Sequence, residues 1–355
     1  MHMKRFFISA LLLVLCSSGS SVFAQSTSAN SVKQMPPASF VLHDDEKAQP
    51  SKVVLGPMHT NDKGQTTGSF AVYGGSSMVQ ISSLAMDGDG KLLAVGSTPN
   101  RVDLWDVQAK TLLRSFPGGT MVALSRDGKT LVTDGNGIQV WDVETGKLRR
   151  RIERKGDFIR QLVLDRSAKR LLLSANREDD SVFDLATGAK LATLTDTQWG
   201  QFSEDGSVVV GGNWKQLNIW DAASWKIVKT LPNGPDYVTR MAVSPDRTLI
   251  VVGGPKVARL VRADTGDTVA RLGDGWTNFA SFTSDGRFIL TYPSSGFVIS
   301  DSTGKPICWR EDIGNGHVAL SGNDSWLASA QVGGRDVMVW NMVDVLKACS
   351  VTKER

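Results

Sequence analysis

Apolar residues alternate with polar ones in short segments that recur along most of the chain. Ile138-Gln139-Val140-Trp141 shows the pattern, in which every second side chain is apolar. A period of two residues places those side chains on one face of a β-strand. Seven comparable segments end 36 to 42 residues apart, at Trp105, Trp141, Phe183, Trp220, Val261, Ile299 and Trp340. The spacing predicts an internal repeat of about forty residues.

Two kinds of turn motif recur at the same spacing of about forty residues. Asp-Gly pairs such as Asp127-Gly128 precede apolar runs, and Thr-Gly pairs such as Thr145-Gly146 follow the alternating segments. Glycine accepts the positive φ that tight hairpin turns require. Each repeat therefore supplies four short strands, which need neighbouring sheets to cover their apolar faces. We predict an all-β fold, a seven-bladed β-propeller of four-stranded antiparallel blades.

Three repeats contain a Trp-Asp pair, namely Trp105-Asp106, Trp141-Asp142 and Trp220-Asp221. Together with the repeat length, these pairs resemble the WD40-repeat family over roughly residues 66–345. The family's Gly-His pair occurs once, as Gly316-His317, so the resemblance is to a divergent branch. It implies a rigid platform that presents one face to a protein or peptide partner.

Propellers of this family close when a strand from the N-terminal side completes the last blade, which removes an exposed sheet edge. Ser69–Tyr73 is apolar enough to be that strand, and we predict this role for it. Residues 25–65 are mainly polar, so they are predicted to be a flexible arm or linker. Residues 346–355 are predicted to be a C-terminal tail.

The first 24 residues are typical of a cleavable signal peptide. Two basic residues precede a mainly apolar stretch, Phe6–Leu15, and small residues lead to Ala24. We expect cleavage after Ala24 and a periplasmic or secreted protein. The apolar stretch is too short for a transmembrane anchor, which needs roughly 20 residues. Lipidation of Cys16 is disfavoured because Leu15, which is not a small residue, precedes it.

Cys308 and Cys349 remain after removal of the leader. In an oxidising compartment they could form one disulfide. The alternative is that both are small buried side chains, as cysteines often are. The charge of the whole chain, 40 basic against 36 acidic residues, gives +4 and does not indicate a nucleic-acid partner.

The first strand of each repeat, which we call the inner strand, is expected to line the central channel. Near its start, six residues before the Asp of the Asp-Gly turn, the type of side chain differs from repeat to repeat. This position and the adjoining loops give a candidate partner-binding rim, which consists of Arg160, Trp199, Arg240, Trp276, Phe279 and His317. The alternative is that Trp199 and Phe279 cap the core and that His317 is a structural histidine. Exposed aromatic residues are informative only when they form a contiguous patch. Four tryptophans that end alternating segments are assigned to the core: Trp105, Trp141, Trp220 and Trp340.

The sequence contains no Gly-x-Ser-x-Gly nucleophile motif and no phosphate-binding loop. Its propeller region has one histidine, so we predict no histidine metal site, no catalytic residues and no cofactor. We interpret the protein as an exported, non-catalytic platform that binds a polypeptide partner in the cell envelope. The alternative is a periplasmic propeller hydrolase or lyase with a small-molecule site at the central channel.

Overall fold

The computed structural model describes residues 32–43, 58–60, 66–68, 80–232, 237–310, 316–331 and 334–350. The predicted signal peptide, including Cys16 and Ala24, lies outside these residues. Seven antiparallel sheets follow one another along the chain, and their inner strands contact one another in a closed ring. The predicted fold, a seven-bladed β-propeller of four-stranded blades, is confirmed.

Short strands precede the first blade, and the second pair forms a separate hairpin: β1 Lys33–Gln34, β2 Phe40–His43, β3 Met58–Thr60 and β4 Thr66–Gly68. Blade 1 contains β5 Ile81–Met86, β6 Leu92–Ser97, β7 Arg101–Asp106 and β8 Thr111–Pro117. Blade 2 contains β9 Val122–Leu124, β10 Thr130–Thr133, β11 Ile138–Asp142 and β12 Leu148–Ile152. Blade 3 contains β13 Ile159–Leu164, β14 Arg170–Ala175, β15 Asp180–Asp184 and β16 Lys190–Leu194.

Blade 4 contains β17 Gln198–Phe202, β18 Val208–Gly212, β19 Gln216–Asp221 and β20 Ile227–Pro232. Blade 5 contains β21 Arg240–Val243, β22 Leu249–Gly253, β23 Val257–Arg262 and β24 Thr268–Asp274. Blade 6 contains β25 Thr277–Phe282, β26 Phe288–Pro293, β27 Phe297–Asp301 and β28 Pro306–Arg310. Blade 7 contains β29 His317–Leu320, β30 Trp326–Ala330, β31 Asp336–Asn341 and the earlier strand β2. The helix α1, Met342–Ser350, follows.

The two ends of the ring are built from different turns. In blade 2, Leu131 lies opposite Leu124 of the inner strand and Trp141 of the third strand. We call the end at which the inner strands begin the upper face and the end that carries the Asp-Gly turns the lower face. Gly128 has a φ of 69° in its turn, and Ala168 adopts a φ of 52° at the equivalent position of blade 3. The turn geometry therefore persists where glycine is absent.

The tryptophans of the third strands form part of the core, as the sequence predicts. Trp105, Trp141, Trp220 and Trp340 are 3%, 7%, 5% and 0% exposed, respectively. The indole nitrogens of two of them donate hydrogen bonds to threonine hydroxyls at 3.1 Å, Trp141 to Thr133 and Trp220 to Thr197. Each hydrogen bond satisfies a polar atom that burial would otherwise leave unpaired.

The strand that closes the ring is β2, and the prediction that Ser69–Tyr73 closes it is wrong. β2 pairs antiparallel with β31, with Phe40 opposite Val339. Phe40 and Leu42 point into the core and are 8% and 2% exposed, whereas residues 69–73 lie outside the described part of the chain. Only three consecutive apolar residues, Phe40 to Leu42, interrupt a polar stretch, and so short a run is a weak strand signal, which is why composition alone indicated a linker. The propeller accordingly starts well before residue 66.

Two further segments differ from their predicted state. β1, within the predicted arm, pairs parallel with the outer edge of blade 6 and places Lys33 opposite Cys308. At the other end, the predicted tail begins inside α1, which packs Met342, Val345 and Cys349 against the core. The spacing of these three residues puts them on one helix face.

The helix α1 is fixed at both ends. At its start, the Asn341 side-chain oxygen accepts hydrogen bonds from the backbone N–H groups of Val343 and Asp344, as an N-cap residue does. At its last turn, Cys349 forms a disulfide with Cys308 of β28, and the two Cα atoms are 5.6 Å apart. Among the described residues, no helix has the length and apolar character needed to cross a bilayer.

Candidate functional site

A cavity of about 810 Å³ opens on the upper face. Its walls come from the loops that lead into the inner strands of blades 2 to 6, and from turns between second and third strands. Four large aromatic side chains in these loops are exposed: Phe158 by 64%, Trp214 by 59%, Tyr237 by 46% and Trp276 by 42%. The Tyr237 and Trp276 rings meet edge to face, with centroids 5.7 Å apart. The four rings border a single cavity and form the contiguous kind of patch that is informative about binding.

Three side chains from consecutive blades occupy the centre of this cavity. Arg160 and Trp199 are the second residues of the inner strands of blades 3 and 4, and Arg240 is the first residue of the inner strand of blade 5. The guanidinium carbon of Arg240 lies 4.2 Å from the centroid of the Trp199 ring, and that of Arg160 lies 5.7 Å from it. Both distances are within the range of cation–π attraction.

We define the upper-face groove by these seven cavity-lining residues: Phe158, Arg160, Trp199, Trp214, Tyr237, Arg240 and Trp276. Burial and, as the smaller cause, the neighbouring charge of Arg160 together lower the pKa of Arg240 to about 10. Arg240 therefore stays charged at neutral pH. The groove combines an aromatic rim with two positive charges at its centre.

The Trp199 side chain is presented by an unusual backbone conformation. Its φ is 58°, which is strained for a residue with a side chain, and the pairing of β17 with β18 shifts register between Gln198 and Gln201. The next residue, Gly200, donates its backbone N–H to Oδ2 of Asp180 at 2.6 Å. A Cβ on residue 200 would lie 2.7 Å from that oxygen, so glycine is required there. Asp180 thus supports the bulge that directs Trp199 into the groove.

Asp180 is fully buried, and burial is the main cause that raises the pKa of its carboxyl group to about 7. The folded protein therefore binds this proton more tightly than the unfolded chain, in which an aspartate pKa is near 3.9. The stability that this group contributes is complete below about pH 4 and is lost as pH rises through 7.

We expect Asp180→Asn to flatten the dependence of unfolding free energy on pH between about 4 and 7. Urea titrations of native protein and variant across this range measure the effect. Asp179→Asn, which changes the exposed neighbouring carboxylate, is the matched control and is expected to leave most of the slope in place. An unchanged slope in Asp180→Asn would contradict the assignment.

The predicted rim residues separate into two groups. Arg160, Trp199, Arg240 and Trp276 line the cavity together. Phe279 instead packs on the apolar core beneath blades 6 and 7, as the core-capping alternative proposed. His317 is half-buried at the start of β29, where burial and then the charge of Arg240 lower its pKa to about 4, so that it is neutral at pH 7.

The prediction missed Phe158, Trp214 and Tyr237. Phe158 and Tyr237 lie one and three residues before inner strands, and Trp214 lies in a turn between a second and a third strand. All three positions belong to the upper face once the blades are assigned. Extending the sequence alignment to both kinds of upper-face loop would have found them.

The lower end of the ring is crossed by an ion-pair network. Arg126 of blade 2 donates to Glu204 of blade 4 at 2.5 Å and also to the backbone carbonyl of Gly322 in blade 7. Arg166 of blade 3 pairs with the same glutamate. These contacts join four blades at the lower face. Throughout the described ranges, no three His, Cys, Asp or Glu side chains are placed to hold a metal ion.

Comparison with known proteins identifies two distant relatives. Autophagy-related protein 16 of Arabidopsis thaliana is 25% identical over 183 residues, which are 48% of this chain and 36% of that protein. The target of rapamycin complex subunit wat1 of Schizosaccharomyces pombe is 27% identical over 188 residues, or 47% of this chain and 59% of that protein. The chain therefore spans about a third and three fifths of these relatives. No protein-family model matches it.

Proposed function

Because this chain is a divergent WD40-repeat propeller, we propose that it is an exported, non-catalytic platform that binds a polypeptide through the upper-face groove. The observation that carries the proposal is the contiguous set of exposed aromatic side chains on four adjacent blades. Exposed aromatic rings are costly to leave in water, and interface hot spots are enriched in tryptophan, tyrosine and arginine. The name of one relative describes a subunit of a complex, which agrees with a role in assembly.

The structure of the groove favours an extended polypeptide as the ligand. Its aromatic side chains are distributed along the loops of blades 3 to 6, so a bound chain can contact them one after another. Trp214 lies in the same blade as Trp199, and Trp276 lies two blades further along the ring, each of the two in a loop between β-strands. A rigid surface loses little conformational entropy on binding, which favours affinity.

The proposed location outside the cytoplasm rests on the leader. A disulfide between Cys308 and Cys349 agrees with it, because such bonds persist in oxidising compartments. The mature protein is expected to begin at Gln25. Intact-mass measurement of the protein recovered from the periplasm or medium checks this, and a cytoplasmic, full-length product would contradict export.

The binding proposal is tested by affinity capture with crosslinking from a cell-envelope extract. Trp214→Ala combined with Trp276→Ala is expected to reduce recovery of a specific protein about tenfold or more, because two exposed anchors are removed. Both side chains are at the surface, so the variant should keep its thermal stability. Trp199 and Arg240 are less suitable for this test. Trp199 packs on the core of blades 4 and 5, and the Arg240 side chain is largely buried, so replacing either residue would also change the stability of the protein.

A matched control removes exposed apolar side chains elsewhere. Leu113→Ala with Val228→Ala changes outer strands, where the two residues are 51% and 60% exposed. This variant is expected to recover the same protein as the native chain. Equal recovery by the groove variant and the control would overturn the proposed face.

A further inference from the structure

The two arginines at the centre of the groove have no carboxylate partner among the described residues. Arg160 donates to the side-chain oxygen of Asn176, and Arg240 donates to the backbone carbonyl of Thr239 at 2.7 Å. Two other arginines of the ring, Arg101 and Arg126, form ion pairs with Asp103 and Glu204, respectively. A guanidinium has five N–H donors, so one hydrogen bond to an uncharged oxygen leaves most of them free to bind a ligand. Two guanidiniums close to each other also repel, and an anion bound between them offsets this repulsion.

The acidic residues around the cavity have other contacts. Asp134 accepts backbone hydrogen bonds from Met121, at 2.7 Å, and from Thr120. Asp179 accepts one from the backbone of Asp196. These contacts fix loops of the rim, and neither carboxylate forms an ion pair with Arg160 or Arg240.

The mixed charge of the cavity limits which anion fits. Asp134, Asp179 and Asp196 line the same cavity as the two arginines. A ligand with extended negative charge, such as a nucleic acid, would meet these carboxylates and be repelled. A single carboxylate on an otherwise apolar segment would contact the two arginines, and the apolar residues on either side of it would contact the aromatic side chains of the rim.

We propose that Arg160 and Arg240 together bind one side-chain carboxylate of the docked polypeptide, beside the ring of Trp199. The inference rests on the proposed function, because it names the chemistry that the groove selects in its partner. Arginine suits this role since its planar fork donates paired hydrogen bonds to a carboxylate. The ligand is thus an acidic residue flanked by apolar or aromatic residues.

A phage-displayed library of random 12-residue peptides, selected on the purified protein, supplies the probes. Selected peptides are synthesised in matched forms in which each Glu or Asp is replaced by Gln or Asn. For the native protein, we expect one such replacement to weaken binding about tenfold or more, as measured by fluorescence polarisation. Arg160→Gln and Arg240→Gln are expected to bring the ratio between acid and amide forms close to one.

Two other variants distinguish charge recognition from general loss of binding. Trp214→Ala is expected to weaken the acid and amide forms equally, because it removes apolar contact only. Arg287→Gln, an exposed arginine by the lower-face turn, is expected to change neither. Arg240→Lys keeps the charge without the fork and is expected to give an intermediate ratio, which covers the case in which Arg240→Gln does not fold.

The outcomes separate this inference from the proposed function. Binders that depend on Trp214 but are indifferent to every replacement of an acid by an amide would overturn the carboxylate site and leave the polypeptide platform in place. An acid preference that survives in both Arg160→Gln and folded Arg240 variants would overturn it as well. Failure to select any binder that depends on the groove would overturn both proposals.

Discussion

Replacing Phe40 and Leu42 by alanine is expected to remove most of the stability of the propeller. Both side chains lie in the closing strand and are buried against the core shared by blades 7 and 1. Large-to-small replacements of this kind cost about 2–5 kcal/mol for leucine and about 3–5 kcal/mol for phenylalanine. Their sum approaches the total unfolding free energy of a typical domain, about 5–15 kcal/mol.

The same variant should also associate with itself. Weakening the closing strand exposes the edge of β31, and unpaired edges recruit other chains. Urea denaturation measures the stability, and size-exclusion chromatography with light scattering measures the association. Val41→Ala, on the outward side of the same strand, is the control and is expected to have little effect.

A competing assignment can be tested in parallel. If Phe70→Ala with Val72→Ala destabilised the protein and the Phe40 and Leu42 variant did not, the closing strand would lie in residues 69–73. The structure predicts the reverse order of effects, because β2 occupies the fourth position of blade 7.

Reduction of the disulfide is expected to lower the unfolding free energy by about 4 kcal/mol. Cys308 and Cys349 are 41 residues apart, and a crosslink that closes a loop of this length restricts the unfolded chain by about that amount. The bond also holds α1 on blade 6, where Met342 and Val345 pack. Its loss should therefore release the helix first.

Denaturation with and without a reductant measures this contribution. The control is a variant with both cysteines replaced by alanine, whose stability a reductant should not change. If reductant failed to destabilise the native protein, or destabilised the variant equally, the bond would have no stabilising role.

The candidate site was predictable only in part, for reasons that differ between residues. Trp199 and Arg240 are at equivalent places in successive repeats and Arg160 is one residue before the equivalent place in its own repeat, so a comparison of the repeats brings the three together. Phe279 occupies a comparable place, but the core beneath blades 6 and 7 takes up its side chain. Whether an aromatic residue at this position faces solvent depends on the local bulge and on the neighbouring blade, and neither is encoded in its own segment.

The sequence by itself determined the architecture of this protein. Seven copies of one pattern identify the four strands of the repeat even where a single copy is too irregular to do so. Each short strand also requires a neighbouring sheet to cover its apolar face, which leads to a ring of stacked sheets. The buried tryptophans of the third strands follow from the same alternation.

Only the tertiary structure decided which distant segments meet. The closing strand Phe40–His43, the pairing of Cys308 with Cys349 and the placement of Arg160 and Arg240 around Trp199 all join residues that are far apart in the chain or in different blades. Such contacts depend on the curvature of the ring and the packing between sheets. A local pattern of polar and apolar residues does not determine the curvature of the ring or the packing between sheets. The repeat therefore predicted the fold but not the strand that closes the ring or the residues that form the binding surface.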